Sequence, residues 1–504
     1  MNPLADALIT PLASQNDTVL IRHDHKEISG IDLYLLTSQI ANVLTDIGVE
    51  PGHRVAMQTE KTVEALALYL GCLRAGALFL PLNTAYTPAE MEYFIGNAEP
   101  TLVVCDPKSE AALSEFTKPR GIELLTLDSF GKGSLHDKTL KAGTTFTNVA
   151  RAPGDLAAIL YTSGTTGRSK GAMLSHENLL SNANSLCEAW HFSSDDTLLH
   201  SLPIFHVHGL FVAINVLMKA KGKIIFLPKF NVDQILEFLP KATSMMGVPT
   251  FYTRLLSEDR FTQNLTKHMR LFISGSAPLL SETHRTFELR TGHRILERYG
   301  MTETTMNTSN PYDGERRAGT VGLPLPGVEA RITDEKTGET LKSNQTGNLE
   351  VRGPNVFKGY WRMPEKTKNE FRNDGFFITG DIAQIDAEGY VTIVGRAKDL
   401  IISGGYNVYP KEIEIQIDVL EGVMESAVIG APHPDFGEAV IAVVVCAKGK
   451  ITTAEKIQSA LKINLANFKC PKAIFFLEGL PRNTMGKVQK NELRKQYEKT
   501  FHKI

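Results

Sequence analysis

The chain has 504 residues, of which 42% are hydrophobic and 22% charged. That balance excludes a mainly disordered chain and leaves apolar material for a large core; at ~150 residues per domain it predicts about three domains, or one large and one small. Lys and Arg number 54 and Asp and Glu 56, a net charge of −2, so no long-range field draws the chain to nucleic acid or an anionic membrane. The five cysteines, Cys72, Cys105, Cys187, Cys446 and Cys470, are odd in number, scattered and without a C-x-x-C. Neither a disulfide scaffold nor a Cys-rich zinc site is expected, and a reduced, cytoplasmic compartment is. The N-terminus lacks the basic and apolar segments of a secretory signal, and no apolar run approaches the ~18 residues of a membrane span.

Helical spacing predicts a helix over Asp32–Leu44, then a strand at Arg54–Gln58, a helix at Thr62–Leu73 and a strand at Ala77–Leu82. Strands recur at Leu102–Cys105 and Leu156–Tyr161. This alternation predicts an α/β fold with a mostly parallel sheet flanked by helices. The polar, Gly-rich stretch Lys108–Pro153 reads as surface excursions. From Thr320 to Val394, short strands at Glu329–Thr333, Gly347–Val351 and Tyr390–Val394 between Gly, Pro and Asp predict a compact β subdomain. Beyond Gly395–Asp399 come helices at Pro410–Leu420 and Thr453–Leu465 and strands at Glu425–Ile429, Ala439–Val445 and Ala473–Phe476. The expected division is a large N-terminal domain over 1–395 and a small α+β domain over 396–504.

The segment Leu160–Gly171 runs from an apolar strand into Thr162, Ser163, Gly164, Thr165, Thr166, Gly167, Arg168, Ser169 and Lys170. Glycines allow backbone N–H groups to converge on phosphate oxygens, hydroxyls add donors and the cations add charge. The order of residues is not that of a Walker A loop. Leu271–Leu279 reads as a strand ending in a Gly/Ser turn, Tyr299-Gly300-Met301-Thr302-Glu303 follows a strand-like Ile295–Arg298, and Thr379-Gly380-Asp381 and Gly395-Arg396 lie in the β subdomain.

In this order, from about residue 20 to 495, these segments resemble the adenylate-forming acyl-CoA synthetase superfamily. The resemblance implies two steps: a carboxylate attacks the α-phosphorus of ATP, and a thiol, usually coenzyme A, displaces AMP from the acyl-adenylate. It implies that Thr162–Gly167 and Lys170 cradle phosphates, and that Gly275, Ser276, Ala277, Pro278, Glu297, Arg298, Tyr299, Gly300, Met301 and Thr302 border the nucleotide. Asp381 and Arg396 would take the ribose. Glu303 would hold Mg²⁺, with Thr162 or Thr302 orienting its water or a phosphate. Lys487, in Pro481-Arg482-Asn483-Thr484-Met485-Gly486-Lys487, would meet the acyl carboxylate and α-phosphate, where charge accumulates. Lys398 matches the pivot about which the small domain turns, bringing Ser403, Gly404, Gly405 and Tyr406 to the pantetheine arm. Acetylation by a lysine acetyltransferase, reversed by a deacetylase, would remove the charge of Lys487.

For the acid, Gly247–Arg254 reads as a strand followed by a helix from Pro249 or Thr250, with Arg254 in its first turns, where a cation opposes the macrodipole. Such a guanidinium can take a diacid's far carboxylate. An extended His206-Val207-His208 would point both histidines to one side. With Ser274 and Ser276 they make a polar acyl pocket, while Val207 and Met306 would limit an α-substituent. The combination is similar to malonate–CoA ligases and implies malonate, with methylmalonate as a slower substrate. The readings weighed against it are a synthetase for a medium-chain, short or aromatic acid, and an adenylation module that loads a carrier protein.

Overall fold

The computed structural model describes residues 1–162, 169–403, 406–483 and 486–501. Two large sheets and a smaller one fill the first part of the chain. One sheet runs, in spatial order, Glu123–Thr126, Leu102–Cys105, Arg54–Gln58, Leu78–Pro81, Leu156–Thr162 and Lys170–Ser175. Its pairs are parallel except the last, an antiparallel hairpin that sets Thr162 opposite Lys170. The second sheet has nine strands, with a parallel centre that includes Thr197–His200, Ser244–Gly247, Leu271–Ser274 and Leu296–Met301. The strands Leu78–Pro81, Leu102–Cys105 and Leu271–Ser274 are buried along their whole length, as a sheet covered on both faces requires.

Local chemistry explains the boundaries. The helix Val63–Ala75 starts where the Thr62 side chain accepts from Ala65 N and stops at Gly76, whose φ of 72° suits a left-handed cap. It packs closely on Gly30–Asp46: a Cβ on Gly71 would fall 2.7 Å from Ile40 Cγ2. The stretch Lys108–Pro153 is more regular than expected. It carries the helices Glu110–Thr117 and Ser134–Thr139 and the edge strand Glu123–Thr126, whose apolar Leu124 and Leu125 are too few to stand out among polar neighbours.

The β subdomain is an antiparallel sheet of Glu329–Thr333, Gly347–Arg352, Phe377–Ile385 and Val391–Arg396. After it, Tyr406–Val408, Ile401–Ser403, Gly437–Cys446, Val423–His433 and Ala473–Leu477 form a sheet of their own. Ile401, Ile413, Ile417, Val428, Val440 and Leu461 make a core there, separate from the cluster that spans the large sheets. The five cysteines are unpaired. No helix among the described residues is long and apolar enough to cross a membrane.

Two local expectations are corrected. Val207 has helical backbone angles and a π-helix, His208–Ile214, begins directly after it, so the His206–His208 segment is not extended. The helix Pro249–Leu256 has only eight residues, so Arg254 lies in its last turn, where a cation is favoured by the macrodipole rather than opposed.

Candidate active site

The β subdomain meets the nine-stranded sheet at a buried carboxylate. Asp381 is 2% exposed. It lies opposite Arg396 across two strands, and Arg396 Nε donates to its Oδ1 at 2.8 Å. The Tyr299 hydroxyl donates to Asp381 Oδ2. Asp381 raises the pKa of Arg396, while burial, then Asp381, pushes the Tyr299 phenol well above its usual value. Nearby, Ser276 takes a left-handed φ of 70°, in the turn that continues through Ala277 and Pro278. Gly300 sits where a Cβ would meet Thr305 O at 1.8 Å, which closes the hairpin holding Met301 and Thr302. Burial raises the Glu297 carboxyl to about 8.

Glu303 is buried and accepts a hydrogen bond from Tyr360 at 3.0 Å. Tyr360 Oη also lies 2.8 Å from Glu370, whose Oε1 is 3.5 Å from Lys170 Nζ. Lys170 lies 4.2 Å from the centre of the Tyr360 ring. Burial raises the Glu303 pKa, partly offset by its backbone and Tyr360 hydrogen bonds. Among the described residues no three His, Cys, Asp or Glu side chains form a metal cluster. A single buried carboxylate with no ion pair among those residues fits Mg²⁺ held mostly by phosphate and water oxygens. Thr162 ends its strand beside this group, while Ser163, Gly164, Thr165, Thr166, Gly167 and Arg168 lie outside the described residues.

Behind this region lies a polar recess. Arg298 is 3% exposed, and its Nε and Nη2 have no hydrogen-bond partner among the described residues. His206 Nε2 and His208 Nε2 are likewise buried and unpartnered among the described residues. Ser274 Oγ is too, but Ser274 stands in register with Glu297, so its side chain lies on the other face of the sheet from Arg298 and, contrary to expectation, not in this recess. His208 Nδ1 lies 3.2 Å from Ser276 Oγ. Gly275 makes room for the guanidinium, since a Cβ there would fall 2.4 Å from Arg298 Cζ. Burial, then the charge of Arg298, keeps His208 neutral; burial and Lys487 pull His206 down to about 4. Val207 and Met306 are buried apolar neighbours in the large core. Arg254 is exposed, 6.0 Å from the Phe230 ring centre, and pairs with no carboxylate among the described residues. Glu258, which could have paired with it, binds Arg260. The buried, unpaired cation at the recess is therefore Arg298.

The loop bearing Lys487 reaches this cleft from the small sheet. Gly486, with φ of 73°, comes so near the helix Pro249–Leu256 that its Cβ would lie 3.3 Å from Thr250 Oγ1. Asn483 N donates to Lys487 O at 2.9 Å and Lys487 N to Asn483 Oδ1 at 3.0 Å. The Lys487 side chain is open to solvent, yet desolvation by surrounding protein, then Arg396, pulls its pKa to about 8. Thr484 and Met485 lie outside the described residues, as do Gly404 and Gly405. Ser403 is buried, and Tyr406 is exposed and stacked on Phe468 at 4.6 Å. Lys398 occupies a short 3₁₀ turn, Ala397–Asp399, and Asp399 accepts from Arg494 at 2.9 Å. Tyr360 and Glu370 escaped sequence reasoning because Tyr360 is 57 residues from Glu303 and no local motif links them.

The chain matches the AMP-binding enzyme model over residues 11–361 and the AMP-binding enzyme C-terminal domain over 412–487. It is 36% identical to a malonate–CoA ligase of Arabidopsis thaliana, over 89% of this chain and 78% of that one. The crystal structure of ATP-bound MatB from Rhodopseudomonas palustris is 56% identical, covers 99% of this chain and 100% of its own, and superposes with a TM-score of 0.98. The apo form of MatB, with the same identity and coverage, gives 0.87, so the arrangement seen here is nearer the ATP-bound one.

Proposed function

We propose that this chain, which belongs to the AMP-binding enzyme family, ligates malonate to coenzyme A with conversion of ATP to AMP and pyrophosphate, through a malonyl-adenylate. The observation that carries the choice of acid is the recess of Arg298, His206 and His208, whose buried polar atoms lack partners among the described residues. A fatty or aryl chain would leave them unsatisfied, whereas a carboxylate satisfies a guanidinium bidentately. The likeness to MatB and to the plant malonate–CoA ligase supports the same reading.

In the first step one malonate carboxylate oxygen attacks the α-phosphorus and pyrophosphate leaves. Lys487 donates to that carboxylate and the α-phosphate, stabilising charge that builds up in the transition state. Asp381 and Arg396 hold the ribose, and Tyr299 and the Gly275–Pro278 turn line the base. Glu303, with Thr162 and Thr302 nearby, would hold Mg²⁺, which supplies positive charge to the triphosphate when bound. Arg298 takes the distal carboxylate, flanked by Ser276 and His208; Arg254 stands further out on its helix. In the second step the thiolate of coenzyme A attacks the adenylate carbonyl and AMP departs. We assign 1–395 and 396–504 as the two moving bodies, pivoting at Lys398, with Ser403 through Tyr406 delivered to the thiol. Separate cores on the two sides support that division.

The reading includes a cytoplasmic enzyme, which five unpaired cysteines suit. It also includes control by a lysine acetyltransferase and deacetylase at the solvent-accessible Lys487. ATP–pyrophosphate exchange tests the first step. Exchange that depends on malonate and not on propionate is expected; equal exchange with both acids would refute the diacid pocket.

A further inference from the structure

The loop after strand Thr197–His200 carries His206 into the recess and joins the π-helix at His208. Both ends of this loop are tied to one buried pair, Lys61 and His200. Lys61, three residues past the strand Arg54–Gln58, is 7% exposed. Its Nζ lies 2.5 Å from His200 Nδ1 and 3.0 Å from each of His200 O and Leu202 O. It also lies 4.3 Å from the centre of the Phe226 ring. His200 Nε2 is 2.7 Å from Gly209 O. A carbonyl only accepts, so Nε2 carries the ring proton and Nδ1 is an acceptor. All three contacts of Lys61 are then acceptors, a set that an ammonium satisfies and a neutral amine does not; these contacts oppose burial, which pulls the Lys61 pKa well below its ordinary value.

The ends of the loop are in contact: a Cβ on Gly209 would fall 2.0 Å from Pro203 O. Lys61 thus fastens the loop where it begins, and His200 fastens it where the π-helix starts. A buried ammonium without a carboxylate is a poor device for closing a loop, because an apolar side chain of similar volume is often as stable or more so. The loop it closes carries His206 and His208, so the tie is more useful for holding those two rings than for stability.

We propose that Lys61 and His200 are specificity-determining positioning residues, which fix His206 and His208 at the recess by holding both ends of the loop that carries them. The inference rests on the diacid reading of the recess. In Lys61→Met, the malonate KM should rise by at least ~10-fold, the loss expected when a charge-assisted contact goes. The preference for malonate over propionate should shrink in step, with the ATP KM and a cooperative thermal melt preserved. His200→Gln, which keeps a donor for Gly209 O but not the ring acceptor, should shift both quantities the same way by less. A parent enzyme that uses propionate as well as malonate overturns the diacid reading and this inference with it. A malonate-selective parent whose folded variants keep the malonate KM and the acid preference overturns the pair's role alone. So does a parallel rise of the malonate and ATP KM values, which marks general loosening. Should Lys61→Met not fold, an unchanged acid preference in His200→Gln is itself the overturning result.

Discussion

Replacing Arg298 by Met removes the guanidinium that we propose sets the choice of acid. The residue is 3% exposed and its Nε and Nη2 are unpartnered among the described residues, so the free enzyme holds an uncompensated charge there. Two effects follow with opposite signs. Without ligand, exchanging an unpaired buried cation for an apolar chain should leave the melting temperature unchanged or raise it. With malonate bound, the variant strands a carboxylate in a dry recess; breaking a buried pair in this way costs ~3–5 kcal/mol, or ~10²–10⁴ in kcat/KM. Propionate has no second carboxylate and should keep or improve its low turnover. Arg298→Lys should recover part of the loss, because an ammonium lacks the planar fork. Pyrophosphate release at varied malonate and propionate, with calorimetry of the ligand-free proteins, reads both effects. Equal losses for the two acids, or a melt lowered in step with activity, would refute the reasoning.

Lys487→Ala should slow adenylation by ~10²–10³, the usual loss of one transition-state contact, while sparing thioester formation from supplied malonyl-adenylate; equal losses in the two half-reactions would contradict this. The Lys487 pKa of about 8 is below a lysine's ordinary value, so the protonated, active form is lost as pH rises through about 8. The basic limb of kcat/KM for adenylation should fall there and move upward in Lys487→Arg, as pH–rate profiles will show. Lys398→Pro, which fixes φ near ~−65°, should spare adenylation and impair thioester formation in separate half-reaction assays. Arg254→Ala should lower malonate kcat/KM by less than ~10-fold, an exposed charge being worth little; a loss as large as that of Arg298→Met would make Arg254 the grip instead.

What was legible in the sequence was whatever depends on near neighbours. Thr62 and Gly76 bracket the helix Val63–Ala75, and the apolar run Leu102–Cys105 is a buried parallel strand. Three residues that the motif order assigned to one nucleotide site, Tyr299, Asp381 and Arg396, do meet in space. What depends on register or helix length was not legible. Nothing in His206-Val207-His208 announces the π-helix that follows, and nothing near Arg254 shows that its helix stops at Leu256, which puts the cation at the favourable end. That Arg298 is buried and unpaired was not legible either, because the burial comes from other segments, those of Gly275 and His208. Lys61 lies 139 residues from His200 and carries no local signal at all.

The most direct test of the central claim is AMP formation by the purified enzyme with ATP, Mg²⁺ and coenzyme A, compared across malonate, acetate, octanoate and benzoate. The account predicts rapid AMP release that requires both malonate and coenzyme A, with malonyl thioester formed in equal amount and little turnover of the three monoacids. Octanoate or benzoate turned over faster than malonate would contradict it, as would malonate-dependent AMP release that coenzyme A does not accelerate.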